Sequence, residues 1–248
     1  MQFVRIADKK RIDFICREIL QHVPRGSQVL DVGCGNGIIS KALAELGYEV
    51  DAIDASEKTI AAARLVNSHP HLTYKVVPAG ELQAQPGKYS AIICSEVLEH
   101  LHQPEQLLRI LSMSLTRDGI ILVTVPNGRG PREMLVTKPV QYLQRSRSPL
   151  WRLVLRIKKK LGYTGLTVQS SADDLLHVQF FTISKLKQLA SQHGFRILKI
   201  DASNFIEQVF PFSLLVRRSS VLQRLDCRVA EALPLAFTSG FMMVWKKL

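Results

Sequence analysis

Two patterns of hydrophobic residues, one typical of strands and one typical of helices, alternate along the first half of the chain. Short apolar runs, several of them rich in valine and isoleucine, predict strands, and the segments between them carry apolar residues at helical spacing. The strands are predicted at 28–32, 48–53, 72–77, 89–94 and 119–125. The helices are predicted at 8–22, 38–46, 56–67 and 104–115, with Ser56 as an N-cap. Strands that alternate with helices in this way favour a mostly parallel sheet covered on both faces.

The alternation stops at Asn127 and resumes after Val178. A helix is predicted at 182–193, ended by Gly194, and strands are predicted at 195–200 and 238–245. The stretch 204–234 shows no clear pattern and is expected to be irregular. We therefore expect one α/β domain over 1–248, with insert or cap segments at 128–178 and 203–235.

A glycine-rich string, VLDVGCGNG, follows the first strand and ends at Gly37. Glycines at this sheet edge allow a tight turn and a close approach of the backbone to a ligand. The string is not the dinucleotide fingerprint, because Ile38 stands where that motif requires glycine. Asp54 ends the second strand, where a carboxylate can accept hydrogen bonds from both ribose hydroxyls.

With this string the chain resembles class I S-adenosylmethionine-dependent methyltransferases, and more narrowly the branch of quinone-biosynthesis O-methyltransferases and small-molecule methyltransferases. The resemblance covers 21–127 and 177–200. It implies a Rossmann-like, seven-stranded, mostly parallel sheet with an antiparallel last strand, and S-adenosyl-L-methionine as the cofactor. The residues that it places around the cofactor are Asp31, Gly33, Cys34, Gly35, Gly37, Asp54, Ala55, Ala79, Gly80, Cys94 and Ser95.

A second string, SEVLEHL, runs on from the fourth strand. If it begins a helical turn, Glu96, Glu99 and His100 share one face at spacings i, i+3 and i+4. Two carboxylates and an imidazole at that place suit a divalent metal such as Mg²⁺ or Mn²⁺. Alternatively, His100 acts as a general base without a metal.

His177 joins this set through the resemblance. In the same relatives, and in small-RNA terminal 2′-O-methyltransferases, an E-x-x-E-H string and a later histidine form a metal site. The resemblance thus implies a catalytic and metal-binding set of Glu96, Glu99, His100 and His177. Two other interpretations stay open. One is a metal-free base role for His100 or His177, and the other is a structural role in which the string only frames the cofactor pocket.

The net charge of +12 is unevenly distributed. Ten lysines and arginines but one acid, Glu133, lie between 129 and 160, which is typical of a surface for an anionic partner. Residues 149–161 have the pattern of a basic amphipathic helix. Such a helix could contact anionic lipid, recognise a phosphate-bearing acceptor, or act as a lid whose charges are solvated. The segment 204–234 adds phenylalanines and arginines that suit a cap over an apolar or glycosidic acceptor.

Composition narrows the class of protein. The chain has 46% hydrophobic residues but no uncharged apolar run long enough to span a bilayer, and its start lacks a signal-peptide pattern. The four cysteines have no paired spacing, so we expect reduced thiols and a cytoplasmic protein, with peripheral membrane contact as a further option.

The favoured activity is O-methylation of a small-molecule, glycan or lipid-linked acceptor. The alternatives are an RNA-terminal 2′-O-methyltransferase and a non-catalytic cofactor-binding protein. Nucleic acid is not favoured as a substrate, because no RNA-binding module is visible.

Overall fold

The computed structural model describes residues 5–145, 177–209, 212–216 and 218–248. The predicted basic helix at 149–161 lies outside these residues, as does much of the predicted insert at 128–178. The assignment of 1–248 to one domain with inserts at 128–178 and 203–235 stays a prediction.

A seven-stranded sheet forms the centre of the described structure. Its strands are β1 (Gln28–Val32), β2 (Glu49–Asp54), β3 (Leu72–Val76), β4 (Tyr89–Ser95), β5 (Leu115–Pro126), β6 (Phe195–Ala202) and β7 (Gly240–Lys247). They lie in the order β3-β2-β1-β4-β5-β7-β6. Neighbouring strands among β1 to β5 pair in parallel, and β7 is antiparallel to both β5 and β6. This confirms the Rossmann-like, mostly parallel sheet with an antiparallel last strand.

Eight α-helices accompany the sheet in the part of the chain that is described. They are α1 (Ile6–His22), α2 (Ile38–Glu45), α3 (Glu57–Val66), α4 (Pro104–Ser114), α5 (Lys138–Arg145), α6 (Ile183–Gln192), α7 (Phe212–Val216) and α8 (Ser220–Ala232). The predicted N-cap is confirmed, because the Ser56 hydroxyl accepts a hydrogen bond from the amide of Thr59. None of these helices is both long and apolar enough to cross a membrane.

Successive residues of the central strands pack into two separate cores, because neighbouring side chains on a strand point to opposite faces of the sheet. On β5, Ile121 and Val123 pack into one core with leucines of α4 and α6. Ile120 and Leu122 pack into the other core, beside α1 and α2. Helices therefore cover the sheet on both faces, and the carboxyl ends of the parallel strands form a common edge.

The expectation of an irregular stretch at 204–234 is wrong for much of its length, because it contains the 13-residue helix α8. The Ser219 hydroxyl caps this helix by accepting from the amide of Leu222. The carboxylate of Asp226 accepts hydrogen bonds from the amides of Phe205 and Ile206, at 2.9 and 2.8 Å. The helix thus anchors the loop before it by a side-chain contact that no local periodicity encodes.

Core truncation tests the two-faced sheet. Leu122 is fully buried, so Leu122→Ala should reduce the free energy of unfolding by about 2–5 kcal/mol. Leu65→Ala is the matched control, because Leu65 is 87% exposed and its loss should change stability by less than about 0.5 kcal/mol. Urea unfolding followed by circular dichroism measures both. Equal effects of the two changes would contradict the assignment of Leu122 to the core.

Candidate functional site

The loop between β1 and α2 brings its backbone against two neighbouring segments. Gly33, Gly35 and Gly37 all have positive φ, of 69, 55 and 77°, a backbone conformation that residues with a side chain rarely adopt. A Cβ on Gly33 would lie 2.5 Å from Cγ2 of Val97. A Cβ on Gly37 would collide with the ring of Tyr74. The loop therefore has room for glycine but not for larger residues at these two positions.

Asp54 holds this loop to the end of β2. Its carboxylate accepts hydrogen bonds from the amide of Gly35, at 3.0 Å, and from the amide of Ser56, at 2.9 Å. The amide of Cys34 also donates to the carbonyl of Ile53 at 2.9 Å. The side chain of Asp54 is only partly buried, so the carboxylate stands at the edge of the sheet beside the glycine loop.

Asp31 is buried under the same loop. Its carboxylate is 2.6 Å from the hydroxyl of Ser40, which donates to it from α2. Burial raises the pKa of Asp31 to about 7, Ser40 opposes that rise, and the nearby charge of Asp54 adds to it. The carboxyl group of Asp31 therefore keeps its proton to a higher pH than an ordinary aspartate does.

The other cofactor residues expected from sequence lie at successive strand ends. Ala55 is exposed after β2, and Ala79 and Gly80 form a turn after β3 that lines a shallow cavity with Leu101. Cys94 and Ser95 end β4. Burial raises the pKa of the Cys94 thiol, so the thiol is held in its neutral form. The Ser95 hydroxyl is 2.9 Å from that of Thr124.

Glu96 departs from the expected helical turn. The turn covers only Leu98–His100, and Glu96 itself has a left-handed backbone with φ of 58°. The Thr124 hydroxyl donates to its carboxylate at 3.0 Å, and the guanidinium of Arg11 lies 3.4 Å away. Glu96 therefore lines a cavity with Arg11 and Arg132 and does not join the histidines.

Glu99, His100 and His177 do come together. One ligand atom from each lies within 4.8 Å of the others. Glu99 is buried, and neither of its carboxylate oxygens has a hydrogen-bond partner among the described residues. Burial, together with the charge of Glu96, raises the pKa of Glu99 well above its ordinary value. The rings of His100 and His177 meet edge to face at 5.2 Å.

Backbone contacts bring His177 to this cluster from a distant part of the chain. The amides of Val178 and Gln179 donate to the carbonyl of Glu99, at 2.8 and 3.0 Å. The amide of Gly128 donates to the carbonyl of Phe181 at 2.7 Å, which ties the same segment to the end of β5. The segment directly after the histidine is thus held by main-chain hydrogen bonds to Glu99 and to Gly128.

One residue of the site was missed in the sequence. Glu133 lies in a π-helical turn, Glu133–Thr137, and its side chain is fully buried with one carboxylate oxygen 3.4 Å from Nδ1 of His177. The sequence feature that could have identified Glu133 is that it is the one acid in the basic stretch from 129 to 160. A single acid among cations is equally compatible with a solvated surface residue, so the sequence alone did not identify it as part of the site.

Comparison with known proteins identifies the class. The family model described as "Methyltransferase domain" matches residues 7–200. A Mesorhizobium loti S-adenosylmethionine-dependent methyltransferase has a similar fold, with a TM-score of 0.61, 16% identity and coverage of 97% of this chain and 100% of that chain. The Synechocystis magnesium protoporphyrin IX methyltransferase with bound SAH has a TM-score of 0.57 at 17% identity, over 98% of this chain and 84% of that one. The chain therefore belongs to the methyltransferase family that this model describes, and the two solved structures share its fold.

Among curated relatives, the ubiquinone biosynthesis O-methyltransferase of Xanthomonas campestris is 33% identical over 138 residues, which are 54% of this chain and 56% of that protein. The protein of the same name from Bordetella parapertussis is 39% identical over 113 residues, 44% of this chain and 46% of that protein. The chain spans about half the length of the curated relatives it matches.

The raised pKa of Asp31 predicts a specific pH dependence. The folded form keeps the proton up to about pH 7, whereas the unfolded chain releases it near the ordinary value of 3.8. The contribution of Asp31 to stability is therefore fully present below pH 3.8 and is lost as the pH rises through 7. Asp31→Asn is neutral at every pH, so it should gain stability relative to the wild type between pH 5 and pH 8.

Urea unfolding of both proteins at pH 5, 6.5 and 8 measures this difference. Other titrating groups cancel in the comparison, because they are the same in the two chains. Curves of unfolding free energy that run parallel with pH would show that Asp31 ionises normally in the folded protein.

Proposed function

We propose that the chain transfers the methyl group of S-adenosylmethionine to a hydroxyl oxygen of a small-molecule acceptor. The observation that carries this proposal is the cluster of Glu99, His100 and His177 beside the glycine loop. Gly33 packs on Val97, which is two residues from Glu99 in the chain, so the two parts are direct neighbours. A cofactor in the loop would thus present its methyl group near groups able to accept a proton.

For the cofactor, we assign the ribose hydroxyls to the carboxylate of Asp54. The glycine loop and Asp31 would border the methionine portion, and Cys94 and Ser95 the sulfonium. Ala55, Ala79 and Gly80 would border the adenine. The hydrogen bonds from Gly35 and Ser56 support this arrangement, because they aim the carboxylate along the edge of the sheet before a ligand arrives.

For the reaction, the protein needs to align the acceptor oxygen with the methyl group and to remove one proton. Alignment alone can supply a large part of the rate acceleration. His100 and His177 are the candidate general bases, because each offers a ring nitrogen close to Glu99. The oxygen attacks the methyl carbon, the carbon–sulfur bond breaks, and S-adenosylhomocysteine leaves while the hydroxyl proton passes to the base.

A divalent cation is compatible with the same residues. Glu99 has two buried carboxylate oxygens without a hydrogen-bond partner among the described residues, beside two imidazoles. One carboxylate and two imidazoles suit Mn²⁺ or another transition-metal ion better than Mg²⁺, which prefers oxygen ligands. When bound, such a cation would lower the pKa of an acceptor hydroxyl. Glu96 has no ligand role in this proposal, since Arg11 and Thr124 already engage its carboxylate.

The names of the relatives support the acceptor class. The matched proteins from Xanthomonas and Bordetella are ubiquinone biosynthesis O-methyltransferases, which favours a hydroxyl on a small quinone-precursor-like molecule. A glycan or lipid-linked acceptor, an RNA terminus, contact with anionic lipid through 149–161 and a cytoplasmic location stay predictions from the sequence. The fraction of a cell extract in which the methyl label appears distinguishes the candidate acceptors.

Calorimetry with S-adenosylhomocysteine tests the ribose assignment. Asp54→Ala removes hydrogen bonds to a charged group and should weaken binding by roughly 10-fold or more. Glu57→Ala is the matched control, because it removes an exposed carboxylate three residues away at the start of α3 and should leave the affinity unchanged. Equal affinities of wild type and Asp54→Ala would refute the assignment.

Methyl transfer from labelled S-adenosylmethionine into a cell extract tests the acceptor side. Label should enter the small-molecule fraction, and His100→Ala should reduce its rate by about 10²–10⁴-fold while S-adenosylhomocysteine still binds. The control is His71→Ala, which alters an exposed histidine directly before β3. Label confined to the RNA fraction, or absent from every fraction, would contradict the proposal.

A chelator added to the same assay separates the two versions of the chemistry. If the cluster binds a cation, EDTA should abolish transfer, and Mn²⁺ should restore it more effectively than Mg²⁺. Full activity in EDTA would exclude the cation and leave the histidine base.

A further inference from the structure

Glu133 is a buried acid that the proposed reaction does not yet use. Its side chain has no exposed surface, although it lies in the cation-rich segment after β5. A carboxylate is costly to bury without a partner, so its position requires a specific contact. It lies in a π-helical turn, a distortion that is found often at functional sites.

The contact is with His177. Nδ1 of His177 lies 3.4 Å from each of the two carboxylate oxygens of Glu133. The imidazole is itself mostly buried, with 13% of its side chain exposed, and its ring meets that of His100 at 5.2 Å. Glu133 and Glu99 are therefore two different carboxylates near one pair of histidines, and Glu133 lies next to Nδ1 of His177.

The surroundings of Glu133 favour a fixed arrangement. The amide of Met134 donates to the carbonyl of Gly130 at 3.0 Å, and a Cβ on Gly130 would lie 2.5 Å from the carbonyl oxygen of Thr238. The turn is thus packed against the residues just before β7. On the other side, the segment of His177 is tied to the carbonyl of Glu99 through two amides. Both partners of the contact are held by backbone hydrogen bonds.

We propose that Glu133 is a positioning residue that fixes the tautomer and ring orientation of His177. The carboxylate accepts a hydrogen bond from Nδ1–H, so the proton of the neutral ring is kept on Nδ1 and the lone pair is on Nε2. Histidines that bind metals or act as bases are commonly held by a carboxylate on their second nitrogen. The role of the tautomer at the acceptor site rests on the proposed function, but the tautomer itself is measurable without an acceptor.

The experiment is nuclear magnetic resonance of the ¹⁵N-labelled full chain at pH 8, in which long-range proton–nitrogen correlations report the tautomer of each histidine. The His177 signal is assigned as the one lost in His177→Gln. In the wild type, His177 should show the Nδ1–H tautomer. The Nε2–H tautomer or a doubly protonated ring would overturn the proposal, and this result needs no Glu133 variant to fold.

Two substitutions at Glu133 then test the cause. Glu133→Met keeps a similar volume but no acceptor, so the Nδ1–H tautomer should be lost. Glu133→Gln retains an acceptor oxygen and should keep that tautomer. The matched control is Glu18→Gln, which alters another buried, ion-paired glutamate, on α1 next to Lys199. An unchanged tautomer in a folded Glu133→Met protein would overturn the proposal.

Binding of S-adenosylhomocysteine and the thermal midpoint are measured for every variant. Unchanged cofactor affinity with a changed His177 tautomer is the expected result. If His177 has the expected tautomer but no methyl transfer is found with any acceptor fraction, the proposed function fails and the role of Glu133 stands.

Discussion

The sharp turn after β1 sets how closely the neighbouring segments pack at the edge of the sheet. Three glycines with positive φ let the main chain pass directly over Val97 on one side and Tyr74 on the other. That close packing joins the end of β1 to the segments after β4 and along β3. A side chain at Gly33 or Gly37 would force these segments apart. The glycine loop and the cluster of Glu99, His100 and His177 therefore lie next to each other at one edge of the sheet.

The carboxylates of Glu96 and Glu99, at this edge of the sheet, have different surroundings. Glu96 is satisfied by Arg11 and Thr124, whereas Glu99 is buried without a hydrogen-bond partner among the described residues. A buried carboxylate of the second kind favours either a proton or a cation, because burial penalises its charge. Asp31 shows the same preference for a proton, with a pKa of about 7. The cluster of Glu99 and the histidines thus suits a site where positive charge or a proton arrives during turnover.

The sequence predicted most of the sheet because its signals are local. Apolar runs, the glycine string and the Ser56 cap lie within a few residues of the elements that they define. It did not predict α8, whose place is fixed by contacts such as those of Asp226 with a distant loop. It also expected Glu96 to share a helical face with Glu99, and the left-handed backbone at Glu96 prevents this. Glu133 escaped notice because its partner, His177, is 44 residues away in the chain.

A crystal structure of the chain with S-adenosylhomocysteine would show whether the glycine loop is the cofactor site. We expect the ligand to lie across the glycine loop, with its ribose hydroxyls on the carboxylate of Asp54 and its sulfur directed toward Glu99, His100 and His177. A ligand bound elsewhere, or one whose sulfur points away from that cluster, would contradict this expectation.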